Sequence, residues 1–92
     1  MIRRTRVAKS SDVKVTFALP QDQPSGAVSV VGDFNGWTPG RHVLAKRANG
    51  TRSVAVTLPA GTTTRFRYLG EQGHWFDDPD ADRDGDAGVI GL

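Results

Sequence analysis

Residues 12–20 read DVKVTFALP, and Val13, Val15, Phe17 and Leu19 alternate there with Lys14, Thr16 and Ala18. A period of two places one set of side chains on a buried face and the other on an exposed face of a strand. No stretch of eleven or more residues shows apolar positions at i, i+3, i+4 and i+7, so no amphipathic helix is predicted. The chain must therefore build its core from strands. Pro20 ends the alternation, and QDQPSG reads as a loop. Residues 27–31, AVSVV, predict a second strand that is more deeply buried, because β-branched residues suit a pleated, covered surface.

Residues 32–41 are rich in turn signals. Beyond them, HVLAKR and TRSVAVTLP flank the dipeptide Asn49-Gly50, which predicts a hairpin because both residues tolerate positive φ. Val54, Val56 and Leu58 share one face of its second arm. In TTRFRYL, Phe66 and Tyr68 lie on one face and Arg65, Arg67 and Leu69 on the other. GEQG makes a tight connection to His74-Trp75-Phe76, the acidic stretch 77–86 reads as a loop, and AGVIGL as a last short strand. About seven short strands separated by frequent turns predict an all-β, antiparallel β-sandwich.

A chain of 92 residues suits one small domain with a modest core and no deep cleft. Residues 1–10 form a basic arm or, alternatively, a first edge strand; residues 11–92 form the single sandwich. There is no cysteine, hence no disulfide and no thiolate ligand, as suits a reducing cytoplasm. The start MIRRTR is not followed by an apolar core, and no apolar run approaches the ~20 residues that span a bilayer. The expectation is a soluble cytoplasmic monomer with no membrane partner.

The net charge of +2 does not demand a polyanion, but its distribution is uneven. Arg3, Arg4, Arg6, Lys9 and Lys14 crowd the start; Glu71, Asp77, Asp78, Asp80, Asp82, Asp84 and Asp86 crowd the end. The two ends can pair across neighbouring strands. A nucleic-acid reading would use the basic arm, Arg65 and Arg67 on phosphate and the tryptophans on bases. The acidic end opposes it, and no nucleic-acid partner is expected.

Residues 28–37, VSVVGDFNGW, resemble the signature of the glycogen-binding, isoamylase N-terminal-like family, carbohydrate-binding module family 48. KVTFALP resembles the family's first strand. FRYLGEQGHWFDDPDAD resembles its strand, glycine turn, second tryptophan and Asp-Pro, and DGDAGVIGL its closing loop and last strand. The resemblance covers nearly the whole chain and is nearest to short stand-alone bacterial members. It implies an early-set, immunoglobulin-like sandwich that binds α-1,4-linked glucan (glycogen, starch or malto-oligosaccharide) without catalysis or cofactor, with a glycogen-metabolising enzyme as a further partner. By the same resemblance Trp37 and Trp75 stack on sugar, and Arg67 stands where a lysine bonds hydroxyls. Two departures accompany it. Ala87 replaces an asparagine of the closing loop, and the turn before Trp75 is one residue longer. The missing amide favours an alternative: a structural or protein-interaction module of the same fold with weak or no sugar binding.

The chemistry of a sugar platform agrees with a tryptophan at a turn. Glucose has flat C–H faces and a rim of hydroxyls, and an indole offers roughly 150–250 Å² to cover such a face. Arg67 would supply several coplanar N–H donors. Asn35 would supply a donor and an acceptor, or else bond its own turn. Phe34 is expected to plug the turn from below. Trp75 and Phe76 fall on opposite faces of their strand, so one belongs to the core, and either tryptophan could be a core residue instead.

Catalysis is not expected. Glycoside hydrolysis needs two carboxyls about 5–9.5 Å apart across a cleft, whereas the acids cluster on one loop. His42 and His74 stand alone. Asp80, Asp82, Asp84 and Gly85 match the first positions of an EF-hand loop, but Gly91 stands where a bidentate glutamate belongs, and the expectation is an acidic surface loop without metal.

Overall fold

The computed structural model describes the chain except residues 1, 8, 9, 22–25, 79, 80 and 86 and the side chains of Arg83 and Asp84. The described residues form nine strands: β1 Ile2–Arg6, β2 Asp12–Pro20, β3 Ser29–Gly32, β4 Ala45–Lys46, β5 Thr51–Pro59, β6 Thr63–Leu69, β7 Trp75–Phe76, β8 Asp82–Asp84 and β9 Ala87–Gly91. Single 3-10 turns cover Asp33–Asn35 and Glu71–Gly73. One antiparallel sheet has the order β1-β2-β5-β4 and the other β3-β6-β9-β8, with β7 also paired to β6. The chain is an all-β antiparallel sandwich.

β2, β5 and β6 follow the alternation of their sequences. Val13, Val15, Phe17 and Leu19 of β2 are buried and meet Phe66 and Tyr68 of β6, with Val28, Val30, Leu44 and Ile90 closing the core. Val54, Val56 and Leu58 pack against this cluster from β5. Aromatic rings fill its centre: Phe17 lies 4.9 Å from Phe66, and Phe66 lies 5.7 Å from Tyr68, centroid to centroid. The tilted and edge-on arrangements suit the ring quadrupoles. Tyr68 keeps its hydroxyl satisfied by donating to the buried carboxylate of Asp78 at 2.7 Å. The Cα radius of gyration is 12.8 Å, near the roughly 12 Å expected of one compact body of this length.

The alternation predicts seven strands, and β1 and β8 are the two it does not reveal. Both consist mainly of polar residues. They form because backbone pairing at a sheet edge needs no apolar face, and edge strands are commonly charged. β1 pairs with β2 from Ile2↔Phe17 to Arg6↔Val13, so the basic segment is the outer strand of the first sheet. β8 pairs with β9 from Asp82↔Val89 to Asp84↔Ala87, so the segment read as one acidic loop is partly a hairpin. Residues 82–84 and 87–91 are thus two paired strands, where an EF-hand reading needs one ligand loop. Lys9, Asp80 and Asp86 lie outside the described residues. Among the described residues no helix is long and apolar enough to cross a membrane.

β6 organises the second sheet. Its Phe66 pairs with Gly32 of β3 on one side and Gly88 of β9 on the other. A Cβ on Gly32 would come within 2.4 Å of the Arg65 carbonyl oxygen and 2.8 Å of Phe34 Cε1. One on Gly88 would meet the Phe66 ring at 3.3 Å. The large ring occupies the space that its two neighbours leave.

Candidate functional site

The outward face of the second sheet begins with β6. Thr64, Phe66 and Tyr68 point inward and are buried, so Arg65, Arg67 and Leu69 leave the strand on the other face. Directly paired residues of antiparallel strands carry their side chains on the same face. Leu69 pairs with Trp75 of β7 and with Ser29 of β3, and Ser29 bridges to Val43. Trp75, Leu69, Ser29 and Val43 therefore make one row across the outer face.

Trp75 is 40% exposed. Its neighbour Phe76 turns inward, packs on the core and lies 5.3 Å from Tyr68. The alternative of a core Trp75 is thus resolved by its strand partner. The preceding connection is a three-residue turn, Glu71–Gly73, closed by Gly70 N donating to His74 O at 2.8 Å. Gln72 and Gly73 both have left-handed φ there, 59° and 71°. This turn delivers Trp75 opposite Leu69.

Arg67 stands one row further along. Its guanidinium carbon is 5.7 Å from the centre of the Trp75 ring, within cation–π range. Its Nε donates to Asp77 Oδ1 at 3.1 Å. The ion pair is partly exposed, so water screens it and its main effect is orientation. Held from the side by Asp77, the guanidinium sits over the indole.

Trp37 is 37% exposed and lies beyond the end of β3. Phe34 plugs the turn beneath it, 5.8 Å from Phe17 and 5.5 Å from His42. Trp37 N closes the turn by donating to Gly32 O at 2.9 Å. Its φ of 58° is left-handed, a conformation that a bulky residue seldom adopts. Asp33 holds the ring. One carboxylate oxygen accepts from Trp37 Nε1 at 2.9 Å, and the other accepts from the backbone N–H of Arg65 at 3.1 Å. The side chain of Asp33 thus takes up the hydrogen bonding to β6 where β3 ends. Trp37 is anchored at Arg65 and Trp75 at Leu69. Four residues of strand at ~3.3 Å each put those anchor points about 13 Å apart along β6, with Arg67 midway.

Of the two roles expected of Asn35, its placement matches the internal one: it is only 6% exposed. Its Oδ1 accepts from Gly32 N at 3.1 Å, and its Nδ2 faces Val30 O at 3.0 Å and His42 Nδ1 at 2.9 Å. The amide ties the turn to the returning strand, the internal role that asparagines often take in turns. Ala87 is buried in β9 opposite Asp84, where it presents a methyl group and no amide. Asp33 is the residue that the sequence reading misses. Its only sequence signal is an acid four residues before a tryptophan across a turn.

No family model matches the chain. Partial similarities to curated proteins exist. The chain is 31% identical over 67 residues to an amylopullulanase of Thermoanaerobacter thermohydrosulfuricus, a match that spans 68% of this chain and 4% of that protein. It is 33% identical over 54 residues to the 1,4-alpha-glucan branching enzyme GlgB of Thermosynechococcus vestitus, spanning 58% of this chain and 7% of that one. The chain therefore corresponds to a small fraction of either relative.

Proposed function

We propose that this domain binds α-1,4-linked glucan without transforming it, through Trp37, Trp75 and Arg67. The observation that carries the reading is the pair of half-exposed indoles, each held by its own carboxylate-linked support and anchored along one strand. Trp37 is held by Asp33, and Trp75 lies under the guanidinium that Asp77 orients. Both rings would cover C–H faces of glucosyl units, and the Nη groups of Arg67 would donate to hydroxyls between them. The Nε1 of Trp37 is already committed to Asp33, so that ring contributes its face and not its N–H. Asp33 and Asp77 orient side chains of the platform, which supports a binding role over an acid–base one.

An exposed platform of this size gains little beyond the entropic cost of association. The expected dissociation constant for a short malto-oligosaccharide is roughly 10 µM to 1 mM, or about −4 to −7 kcal/mol. Glycogen, with many chain ends, would hold the domain more firmly by avidity. Titration with β-cyclodextrin tests the reading. Tryptophan emission is expected to change saturably, and Trp37→Ala to remove most of the change while circular dichroism stays that of a folded sheet protein. Unchanged emission in the wild-type protein would contradict it.

A second reading has two observations in its favour: Ala87 at the start of β9 offers no amide, and Asn35 is turned inward. A module with these two polar contacts absent would bind glucan at the weak end of the range and serve mainly as an interaction surface. Glycogen retardation on a native gel discriminates: a folded wild-type protein that migrates alike with and without glycogen would favour this second reading.

A further inference from the structure

The outer face of the first sheet, which looks away from the tryptophans, carries a separate concavity of about 180 Å³. It is lined by Arg3 of β1, Thr16 of β2, Thr51 and Ser53 of β5, and Arg47 and Asn49 of the turn before β5. Register explains the convergence. Arg3 pairs with Thr16, and Ala18 of the same strand face pairs with Ser53, so these side chains leave the sheet on one side. The inward side is taken by Val15, Phe17 and Leu19. Small side chains on β2 and β5 leave a shallow floor, and the two arginines stand at its opposite edges.

The lining has a single chemical character. Two guanidiniums, three hydroxyls, one carboxamide and the methyl group of Ala18 surround the space, and no carboxylate lines it among the described residues. Arg47 is already positioned: its Nε donates to Ser53 Oγ at 3.0 Å and its Nη2 to Ser53 O at 3.2 Å. Asn49 Oδ1 accepts from Thr51 N at 3.3 Å and from Thr51 Oγ1 at 2.6 Å, which orients that amide and hydroxyl at the rim. Lys14 adds positive charge on the same face, two residues along β2 from Thr16. The volume is below the ~300–1,000 Å³ typical of sites for drug-sized ligands, so one compact group fits it. Planar guanidiniums with hydroxyl donors suit a tetrahedral oxyanion.

We infer that this concavity is a binding site for a phosphate monoester or inorganic phosphate, held between Arg3 and Arg47 with Thr16 and Ser53 donating. The site is on the opposite sheet from the tryptophans and does not depend on the glucan reading. Occupation of one would leave the other open.

Amide NMR titration at constant ionic strength tests this, with inorganic phosphate, glucose 6-phosphate and sodium chloride as separate arms. Saturable shifts of the Thr16, Thr51 and Ser53 amides at millimolar phosphate are expected, and none with chloride. Equal response to both phosphates would show that the phosphate group alone is recognised. A tighter response to glucose 6-phosphate would show that the attached sugar is recognised as well. Arg47→Gln and, separately, Arg3→Gln are each expected to weaken binding about tenfold. Away from the concavity, the amide spectra of the variants should match wild type, which verifies their fold. Shifts that fail to saturate, that chloride reproduces, or that survive both substitutions would overturn the site.

Discussion

Trp37 concentrates the physical tension of this molecule. A left-handed backbone costs an L-residue about 1–2 kcal/mol, and a tryptophan there needs a reason. Sub-optimal backbone of this kind clusters at binding sites, where the surroundings over-determine it. Replacing the residue separates the two roles. Trp37→Gly removes the strain and the ring together. Thermal and denaturant unfolding should then show stability within about 1 kcal/mol of wild type, because relief at φ offsets lost contacts. Glucan binding should nevertheless be lost. A stability loss of several kcal/mol would instead mark Trp37 as a structural residue. Asp33→Ala withdraws the acceptor for both Trp37 Nε1 and Arg65 N. The expected result is a loss of about 1 kcal/mol in stability, as for exposed hydrogen bonds, with several-fold weaker β-cyclodextrin binding. The exposure of Trp37 is legible in the sequence, because it falls in a turn-rich segment and connecting segments run over the surface. The fate of Asn35 is not legible. An amide in a turn faces either solvent or its own chain, and here the returning His42 and the Val30 carbonyl decide.

At the scale of elements, β6 links core and site. Its inward residues Phe66 and Tyr68 fill the sandwich, while its outward residues Arg65, Arg67 and Leu69 locate the two indoles. Strong alternation in β2, β5 and β6 is legible because each buries one face, and burial imposes a period of two. The two polar strands β1 and β8 leave no such trace, since ladder hydrogen bonds are blind to side-chain type. Two substitutions probe the centre of the second sheet. Phe66→Ala should cost about 3–5 kcal/mol by chemical denaturation, since the ring is fully buried and its glycine neighbours cannot refill the space. Gly32→Ala should cost about 1–3 kcal/mol although its backbone is ordinary extended chain, because the added methyl meets the Arg65 carbonyl. That loss should be accompanied by a change in Trp37 fluorescence, because Gly32 O accepts the bond that closes the turn.

The whole molecule presents two unlike faces. One outer sheet face carries Trp75 and Arg67, and the other carries Arg3, Lys14, Arg47 and a floor of small residues. A thin sandwich with principal extents of 38 × 33 × 22 Å can offer both at once. The distant relatives are glucan-processing enzymes of which this chain would represent a small part. Native gel electrophoresis with and without glycogen in the matrix tests the central claim most directly. Wild-type protein should be retarded by glycogen, Trp75→Ala retarded much less, and Trp37→Gly not at all, with all three equal in the plain gel. Equal migration of the wild-type protein in both gels would contradict the claim.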